Sequence, residues 1–183
     1  MTRAGRAGSF GGAAVTLRPA VPRDARAIAE VHIAAWRAAY RGLLPDAVLD
    51  RLDVNAWAAQ RRARLADPPT GKFVTVATID ERIIAFCSAG PSRDGDAPQP
   101  TAEVQALYVT PAWWRRGVGT LLLDRTIAAF RDLGYATATL WVLAGNDAAR
   151  RFYRQAGWLP DGSVRDLRLD GAVVAEARYA RRL

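Results

Sequence analysis

The chain is poor in the residues that would point to several common kinds of site. Its 183 residues include one cysteine, Cys87, and one histidine, His32. A single cysteine excludes an intramolecular disulfide framework and a cysteine-based metal cluster. No apolar run approaches the roughly 18 residues that a membrane-spanning helix needs. We therefore expect a cytoplasmic protein without a bound metal.

Lysine is equally scarce, and the positive charge of the chain comes almost entirely from arginine. The formal net charge is +8, and Lys72 is the only lysine. A basic protein can bind nucleic acid, a membrane surface or an anionic small molecule. The sequence has no helix-turn-helix signature, no zinc-ligand spacing and no long basic run. Its arginines are interleaved with acids, as on a solvated surface, so neither nucleic acid nor a membrane is an expected partner.

The pattern of apolar residues predicts one mixed α/β domain. Residues 1–14 are rich in Gly, Ala and Arg and are expected to form a flexible basic tail ahead of a domain at 15–183. Half of the residues are hydrophobic, enough for a sizeable core. Strands are predicted at 15–19, 72–79, 82–89, 101–109, 136–144, 163–169 and 172–180, and helices at 22–40, 45–66, 117–133 and about 146–156.

The stretch WWRRGVGT predicts an anion-binding loop. A strand ends at Val109 and a helix begins near Gly117, so unpaired backbone N–H groups and the positive end of the helix dipole meet in the loop. Gly117 and Gly119 would let a phosphate approach the backbone. Arg115 and Arg116 add positive charge beside it. The predicted ligand is a phosphate or a pyrophosphate.

Two common nucleotide-binding patterns do not fit this loop. A Walker-type loop requires a Gly-Lys pair followed by Ser or Thr, and the loop has no lysine. A dinucleotide fingerprint requires a Gly or Ala where this chain has Leu122. A Gly-x-Gly pair by itself is also typical of a tight turn before a helix.

Two segments together resemble the Gcn5-related N-acetyltransferase (GNAT) family. That family carries Arg or Gln, two residues, Gly, one residue, and then Gly or Ala after a strand and a short turn. Here that frame runs from Trp114 to Gly119, and Trp114 takes the place of Arg or Gln. The stretch LWVLAGNDAARRFYRQAGW, residues 140–158, is similar to the second coenzyme motif of the family. The order of elements agrees over about residues 15–183.

The resemblance implies the fold and the coenzyme. It implies a single domain with a central, mostly antiparallel twisted sheet of about seven strands and about four flanking helices. Two central strands would splay to admit acetyl-CoA as co-substrate. The pyrophosphate would bind residues 115–120, the pantetheine arm would pair with residues 107–109, and Asn146 would either bond the pantetheine side or only cap its helix. The implied coenzyme-binding residues are Leu107, Tyr108, Val109, Arg115, Arg116, Gly117, Val118, Gly119, Thr120 and Asn146.

The resemblance also implies acyl transfer to an amine, which needs a proton acceptor because about one lysine-like amine in 10³ is neutral at pH 7. Glu103 is the candidate base, acting directly or through a water held by Gln105 on the same strand face. An exposed strand-end charge is its alternative role. Tyr153 is the candidate acid for the leaving thiolate, and core packing is its alternative. A backbone N–H near Leu107 would stabilise the oxyanion, whereas Tyr108, on the opposite face, is expected to pack.

The first two helices and their connection would cover the acceptor, again by resemblance. Trp36 and Tyr40 are the candidate substrate-binding residues. Leu43 and Leu44 are further apolar walls, and Asp46 and Asp50 are attractors of an ammonium group. Packing or a surface position is the alternative role of each.

Cys87 is expected to pack rather than to react. His32 is expected to lie on a packed or surface face without a catalytic role.

The predicted function is therefore acetyl transfer from acetyl-CoA to a primary amine of a small molecule, in a bacterial cytoplasm. Acetylation of a protein or peptide is the alternative within the transferases. A non-catalytic acyl-CoA-binding module is a second alternative, against which the presence of Glu103 and Tyr153 argues. A nucleic-acid binder is a third, and it would bind with a steep salt dependence. The sequence leaves a homodimer open.

Overall fold

The protein combines helices and strands in one chain. The computed structural model describes residues 5–10, 13–98, 100–169 and 171–183. The strands are β1 Gly5–Phe10, β2 Ala13–Pro19, β3 Phe73–Ile79, β4 Arg82–Pro91, β5 Thr101–Val109, β6 Thr137–Leu143, β7 Leu159–Leu169 and β8 Ala172–Arg182. The helices are α1 Ala25–Ala39, α2 Asp46–Asp50, α3 Val54–Ala66, α4 Val118–Asp132 and α5 Asp147–Gln155.

All eight strands form one sheet in the order β1-β2-β3-β4-β5-β6-β8-β7. Every pair of neighbours is antiparallel except β5 and β6, which are parallel. A parallel pair needs a long crossover connection, and α4 supplies it. The predicted mostly antiparallel sheet within a mixed α/β domain is confirmed.

The strand β1 differs from the expectation for the N-terminus. Gly5–Phe10 pairs antiparallel with β2, within the segment 1–14 that the sequence predicts as a flexible tail. Residues 1–4, 11 and 12 lie outside the described residues. Main-chain hydrogen bonds define a strand of this kind. They do not depend on side chains, so the composition of a Gly- and Ala-rich segment does not predict them.

The remaining elements lie close to their predicted positions. The helix predicted over 45–66 divides into α2 and α3, and Asp53 caps α3 because its carboxylate accepts from the N–H of Asn55 at 2.7 Å. Residues 22–24 form a 3-10 turn before α1. Within the described ranges, no helix is long and apolar enough to cross a membrane.

Two apolar layers hold the helices against opposite faces of the sheet. The main core packs α4 and α5 on one face and contains the fully buried Phe130 and Trp158. The second core packs α1 on the other face, with Ile28 against Phe86. Burial of each large apolar side chain contributes about 1.5–3 kcal/mol.

The second core continues into an aromatic cluster, which consists of His32, Trp36, Tyr40, Trp57, Phe86 and Tyr108. The His32 ring centroid lies 4.2 Å from that of Tyr108 and 4.5 Å from that of Trp57. Burial, with a smaller effect of the nearby Arg61 guanidinium, lowers the pKa of His32 to about 3. Of the packed and surface positions that the sequence allows for His32, the structure shows the packed one.

The free energy of unfolding should therefore decrease as the pH falls below about 6.5. The unfolded chain binds a proton at His32 with a pKa of about 6.5, whereas the folded chain binds it only near pH 3. Between these values the unfolded state holds more protons, so stability is fully present above the window and decreases by up to about 1.4 kcal/mol per pH unit within it. Urea denaturation at a series of pH values should detect this slope.

His32→Phe should remove that component of the pH dependence. His32 is the only histidine of the sequence, so an NMR titration of its ring reports this one group. An imidazole that titrates near pH 6.5 in the folded protein would contradict the assignment.

Candidate active site

A cleft opens where β5 and β6 separate. The two strands pair in parallel as far as Val104 and Leu140. Beyond these residues β5 continues to Val109 beside β4, and β6 continues to Leu143 beside β8. Over the described residues, the carboxyl-terminal halves of the two strands thus leave a wedge-shaped gap in the middle of the sheet.

The backbone of β5 directs hydrogen-bonding groups into this cleft. The N–H of Thr110 donates to the carbonyl of Ile84 on β4 at 2.8 Å. The direction of these groups alternates along an antiparallel pair, so the N–H and C=O groups of Leu107 and Val109 point away from β4. An extended ligand could pair with them as an added strand.

The glycine loop joins the end of β5 to α4. Arg115 and Gly117 adopt positive φ angles of 58° and 79°, and Gly117 is the N-cap of α4. The left-handed conformation costs about 1–2 kcal/mol for a residue with a side chain, which accounts for glycine at 117. Arg116 is exposed, as is Arg115, and the first N–H groups of α4 have no intrahelical acceptor. The loop therefore offers donors and positive charge to an anion.

Gly119 has a packing role that the sequence does not reveal. A Cβ at this position would lie 3.4 Å from Cζ of Phe152 and 3.7 Å from Cδ2 of Leu107. A side chain at 119 would thus point towards α5 and β5, at ordinary contact distances. The role of Gly119 towards a phosphate stays a prediction. Val118 is buried and Thr120 is exposed on the same first turn.

Trp114 connects the loop to the end of β5. Its indole Nε1–H donates to the carbonyl of Val109 at 2.7 Å, and this carbonyl is one of the groups that face the cleft. Its neighbour Trp113 packs against the main core and has the Arg116 guanidinium 5.0 Å from its ring centroid. The indole thus fixes the loop through a hydrogen-bond donor, although it lacks the charge of an arginine.

Glu103 lies in the paired part of β5 and is only 1% exposed. Its Oε2 accepts from the backbone N–H of Arg93 at 3.0 Å and from Nε at 2.9 Å. Its Oε1 accepts from Nη2 of the same arginine. The structure places Glu103 in a buried ion pair rather than at an exposed strand end, and both of its oxygens are occupied.

A β-bulge changes the side chains that share a face with Glu103. Strand β5 has an extra residue at Gln105, so that Glu103 pairs with Gly90 and Tyr108 with Phe86. These two partners lie on the same face of β4. The expectation that Tyr108 lies on the face opposite Glu103 is wrong, because the bulge shifts the alternation by one position. The bulged Gln105 has no register partner on β4, so its predicted place beside Glu103 stays a prediction.

Tyr153 packs on α5 and is 8% exposed. Its ring centroid lies 5.1 Å from that of Phe152 and 6.3 Å from that of Trp158. Burial raises its pKa, and the negative charges that Cys87 and Tyr108 would carry raise it further. The phenol is therefore protonated at physiological pH, as a proton donor must be, and it also packs in the core.

Cys87 is fully buried on β4, directly opposite Leu107. Its Sγ lies 3.3 Å from Oγ1 of Thr126. Burial raises the pKa of the thiol to about 12, so it is not a thiolate nucleophile. The packing role expected for this cysteine agrees with its environment.

Asn146 stands at the other side of the cleft, just after β6. Its Oδ1 accepts from the N–H of Ala149 at 3.1 Å, which makes it the N-cap of α5. The capping role is therefore present. A bond from its amide N–H groups to a ligand in the cleft is compatible with this role, because capping uses only the carbonyl oxygen.

The connection between α1 and α2 crosses the cleft on the face that carries Tyr108. The hydroxyl of Tyr40 lies 3.3 Å from that of Tyr108, on the β5 side. Leu43 approaches the β6 side so closely that a Cβ on Gly145 would lie 3.0 Å from its Cδ2. Leu43 also lines a cavity of about 180 Å³ at the ends of β6 and β8. Trp36 packs one helical turn from Tyr40, at a ring distance of 5.2 Å.

A charged network covers the same face beside β6 and β8, and sequence reasoning misses it. The residues of this network come from segments that are far apart in the sequence. The polar residues at alternate positions of β8 are the only signal of the network in the sequence. Among the described residues, no group of three or more His, Cys, Asp or Glu side chains could hold a metal ion. The network consists of Arg93, Asp94, Asp96, Glu103, Asp161, Arg165, Glu176 and Arg178.

Comparison with known proteins supports the interpretation of this cleft. The model of the acetyltransferase (GNAT) family matches residues 28–158, a range that includes both the glycine loop and α5. YuaI of Bacillus subtilis strain 168, an uncharacterized N-acetyltransferase, is 29% identical over 134 residues, which cover 72% of this chain and 73% of YuaI.

Solved structures share the fold. The PaiA N-acetyltransferase of Thermoplasma acidophilum in complex with coenzyme A has a TM-score of 0.70 and 16% identity, over 92% of this chain and 99% of its own. The yncA protein of Salmonella typhimurium with its cofactor acetyl-CoA has a TM-score of 0.67 and 24% identity, over 92% and 93% of the two chains. With a family match over most of its length and a sheet that opens between β5 and β6, the chain belongs to the GNAT acetyltransferase family.

Proposed function

We propose that the protein transfers the acetyl group of acetyl-CoA to a primary amine of a small molecule. The observation that carries this proposal is the cleft between β5 and β6, into which the backbone groups of Leu107 and Val109 point. Two structures of the same fold contain coenzyme A or acetyl-CoA. Membership of the GNAT family gives the reaction class.

The coenzyme would bind across the open end of the cleft. Its pyrophosphate would accept from the N–H groups of residues 115–120, where the α4 dipole and two exposed arginines favour an anion. Its pantetheine arm would pair with Leu107 and Val109 in the manner of an added strand. Trp114 holds the Val109 carbonyl in place, and Asn146 faces the arm from the β6 side.

The acetyl group would then lie near the middle of β5, where a neutral amine attacks the thioester carbonyl carbon. The N–H of Leu107 would donate to the oxyanion that forms. When the C–S bond breaks, the sulfur would take a proton from the hydroxyl of Tyr153. Burial raises the proton affinity of the thiolate as well as that of the phenol, so this transfer is not opposed by the raised pKa of Tyr153.

The acceptor would approach from the face that carries α1. There the connection from Tyr40 to Leu43 reaches from β5 to β6 and covers the cleft. A connection that covers the cleft in this way suits a small amine better than a folded protein surface. The hydroxyl of Tyr40 lies 3.3 Å from that of Tyr108 at the β5 side of the cleft, and the Trp36 ring packs against that of Tyr40.

Acetyl-CoA at 100 times its dissociation constant should add about 2.7 kcal/mol to the free energy of unfolding. Gly117→Val should abolish this stabilisation, because a side chain at φ 79° strains the loop and crowds the anion site. Thermal unfolding with and without acetyl-CoA measures both effects.

Gly134→Val is the matched control. Gly134 has a φ of 81° and nothing within 4 Å of an added Cβ, and it lies at the far end of α4. The variant should lose similar intrinsic stability yet keep the stabilisation by acetyl-CoA. A wild-type protein that acetyl-CoA does not stabilise would contradict the coenzyme assignment.

Tyr153→Phe should lower kcat by about 10²-fold or more, the usual contribution of a positioned acid, and leave the stabilisation by acetyl-CoA intact. Thiol release can be followed with 1,5-diaminopentane, glucosamine, glycine and a peptide that begins with alanine. Tyr135→Phe is the control, because Tyr135 packs against Phe130 in the main core.

The outcome with wild type separates the candidate functions. Turnover with the peptide alone would favour a peptide or protein acceptor. Stabilisation by acetyl-CoA without turnover of any of these amines would favour a binding module.

A further inference from the structure

Glu176 is a buried carboxylate that the chemistry described above does not use. It lies on β8, is 9% exposed, and pairs with Leu143 at the end of β6. Thr139 pairs with Glu103 on β5, and Thr139 and Leu143 lie on the same face of β6. Because Glu103 and Tyr108 also share a face, Glu176 lies on the acceptor side of the sheet together with Tyr108.

The register brings Glu176 level with Tyr108 across the cleft. Val104 on β5 lies opposite Leu140 on β6. Along β6, Leu143 lies three positions beyond Leu140 and pairs with Glu176. Along β5, Tyr108 lies four positions beyond Val104, but the bulge adds one residue without adding length, so both strands advance by the same distance. Leu143 therefore lies level with Tyr108 across the gap, and Glu176 lies beside Leu143 at the same height, one strand further from β5.

The electrostatics of the two tyrosines agree with this placement. Burial is the main cause of the raised pKa values of Tyr40 and Tyr108, and the negative charge of Glu176 raises both further. The charge of Glu176 thus acts on the Tyr40 and Tyr108 hydroxyls, which lie 3.3 Å apart.

One oxygen of Glu176 is unoccupied. Arg165 contacts Oε2 through Nε at 2.8 Å and through Nη2 at 2.8 Å. Oε1 has no hydrogen-bond partner within residues 5–10, 13–98, 100–169 and 171–183. Glu103 differs, because Arg93 occupies both of its oxygens. A carboxylate that is held at one oxygen and open at the other can receive a proton.

The surroundings of Glu176 hold it in place. The Arg165 guanidinium lies 4.1 Å from the centroid of the Trp141 ring. The indole Nε1 of Trp141 donates to Asp94 at 3.1 Å, and Asp94 lies 3.9 Å from Arg165. Charged or titratable groups from several elements act on the space around Glu176. Among the described residues they are Arg93, Asp94, Arg165 and Arg178 of the charged network, Tyr40 after α1, Arg61 on α3, Tyr108 on β5 and Tyr153 on α5.

We propose that Glu176, rather than Glu103, is the carboxylate that accepts the proton of the acceptor amine, beside the hydroxyls of Tyr40 and Tyr108. The inference rests on the proposed N-acetyltransferase function. It makes Glu176 a catalytic residue for that reaction and Arg165 the residue that positions it.

The protons balance over one turnover. The ammonium gives one proton to Oε1 of Glu176, which releases it to solvent. The neutral amine then forms the C–N bond as the C–S bond breaks, and its second proton passes to Oε1 while Tyr153 protonates the sulfur. The proton on Glu176 finally returns to the Tyr153 phenolate through solvent. The products are the amide, free coenzyme A and one proton.

Glu176→Gln tests this role through a pH profile. The variant should lower kcat/KM at pH 7 by about 10²-fold or more, measured with each of the four amines that wild type acetylates. The deficit should shrink as the pH approaches the amine pKa of about 10, because solution then supplies the neutral amine. Stabilisation by acetyl-CoA should be unchanged, and Glu176→Asp should recover part of the rate.

Two variants act as controls. Glu30→Gln breaks an exposed ion pair with Arg26 on α1, outside the charged network, and should leave the rate and the pH profile as in wild type. Glu103→Gln should destabilise the fold, because it breaks a buried ion pair, yet it should keep the wild-type pH dependence.

Three results would overturn the inference. The first is a rate for Glu176→Gln within about two-fold of wild type. The second is a loss of rate in Glu176→Gln that is equal at every pH. The third is an altered pH dependence in Glu103→Gln instead of in Glu176→Gln. Wild type that is stabilised by acetyl-CoA but acetylates none of the four amines would overturn the proposed function itself, before any variant is compared.

Discussion

The interrupted pairing between β5 and β6 is the constraint on which the rest of the site depends. Backbone N–H and C=O groups in the middle of a sheet normally have strand partners, and those of Leu107 and Val109 face a gap instead. The Val109 carbonyl accepts from the Trp114 indole, and water or an extended ligand must meet the remaining groups there. The glycine loop, the N-cap of α5 and the α1–α2 connection all border this gap because β5, β6 and α1 end beside it.

The two ends of the gap differ in charge. The glycine loop offers helix N–H groups and exposed arginines at one end, where a pyrophosphate would bind. The charged network on the acceptor face contains five carboxylates and three guanidinium groups among the described residues, within a chain of net charge +8. This local excess of negative charge suits an ammonium, so that each end of the cleft favours one reactant.

Local patterns predict most of the fold and the coenzyme side of the site, whereas the acceptor side depends on distant contacts. Periodicity predicts the strands and helices from residue 15 onwards, and the positive φ of Gly117 agrees with a loop inferred from composition. The bulge at Gln105 reverses the predicted faces of β5 and cannot be read from alternation alone. The Glu103–Arg93 pair and the open oxygen of Glu176 arise where segments far apart in the sequence meet, so no spacing rule detects them.

The burial of Cys87 has a consequence for the order of events in catalysis. A protein that carries the acetyl group on one of its own side chains can release coenzyme A before the acceptor arrives, in a ping-pong scheme. The only thiol of this chain has a pKa of about 12 and is fully buried on β4. No thiolate is therefore available to carry the acetyl group. Under the proposed direct transfer, both reactants would occupy the cleft together, and initial-rate plots against the two concentrations should intersect rather than run parallel.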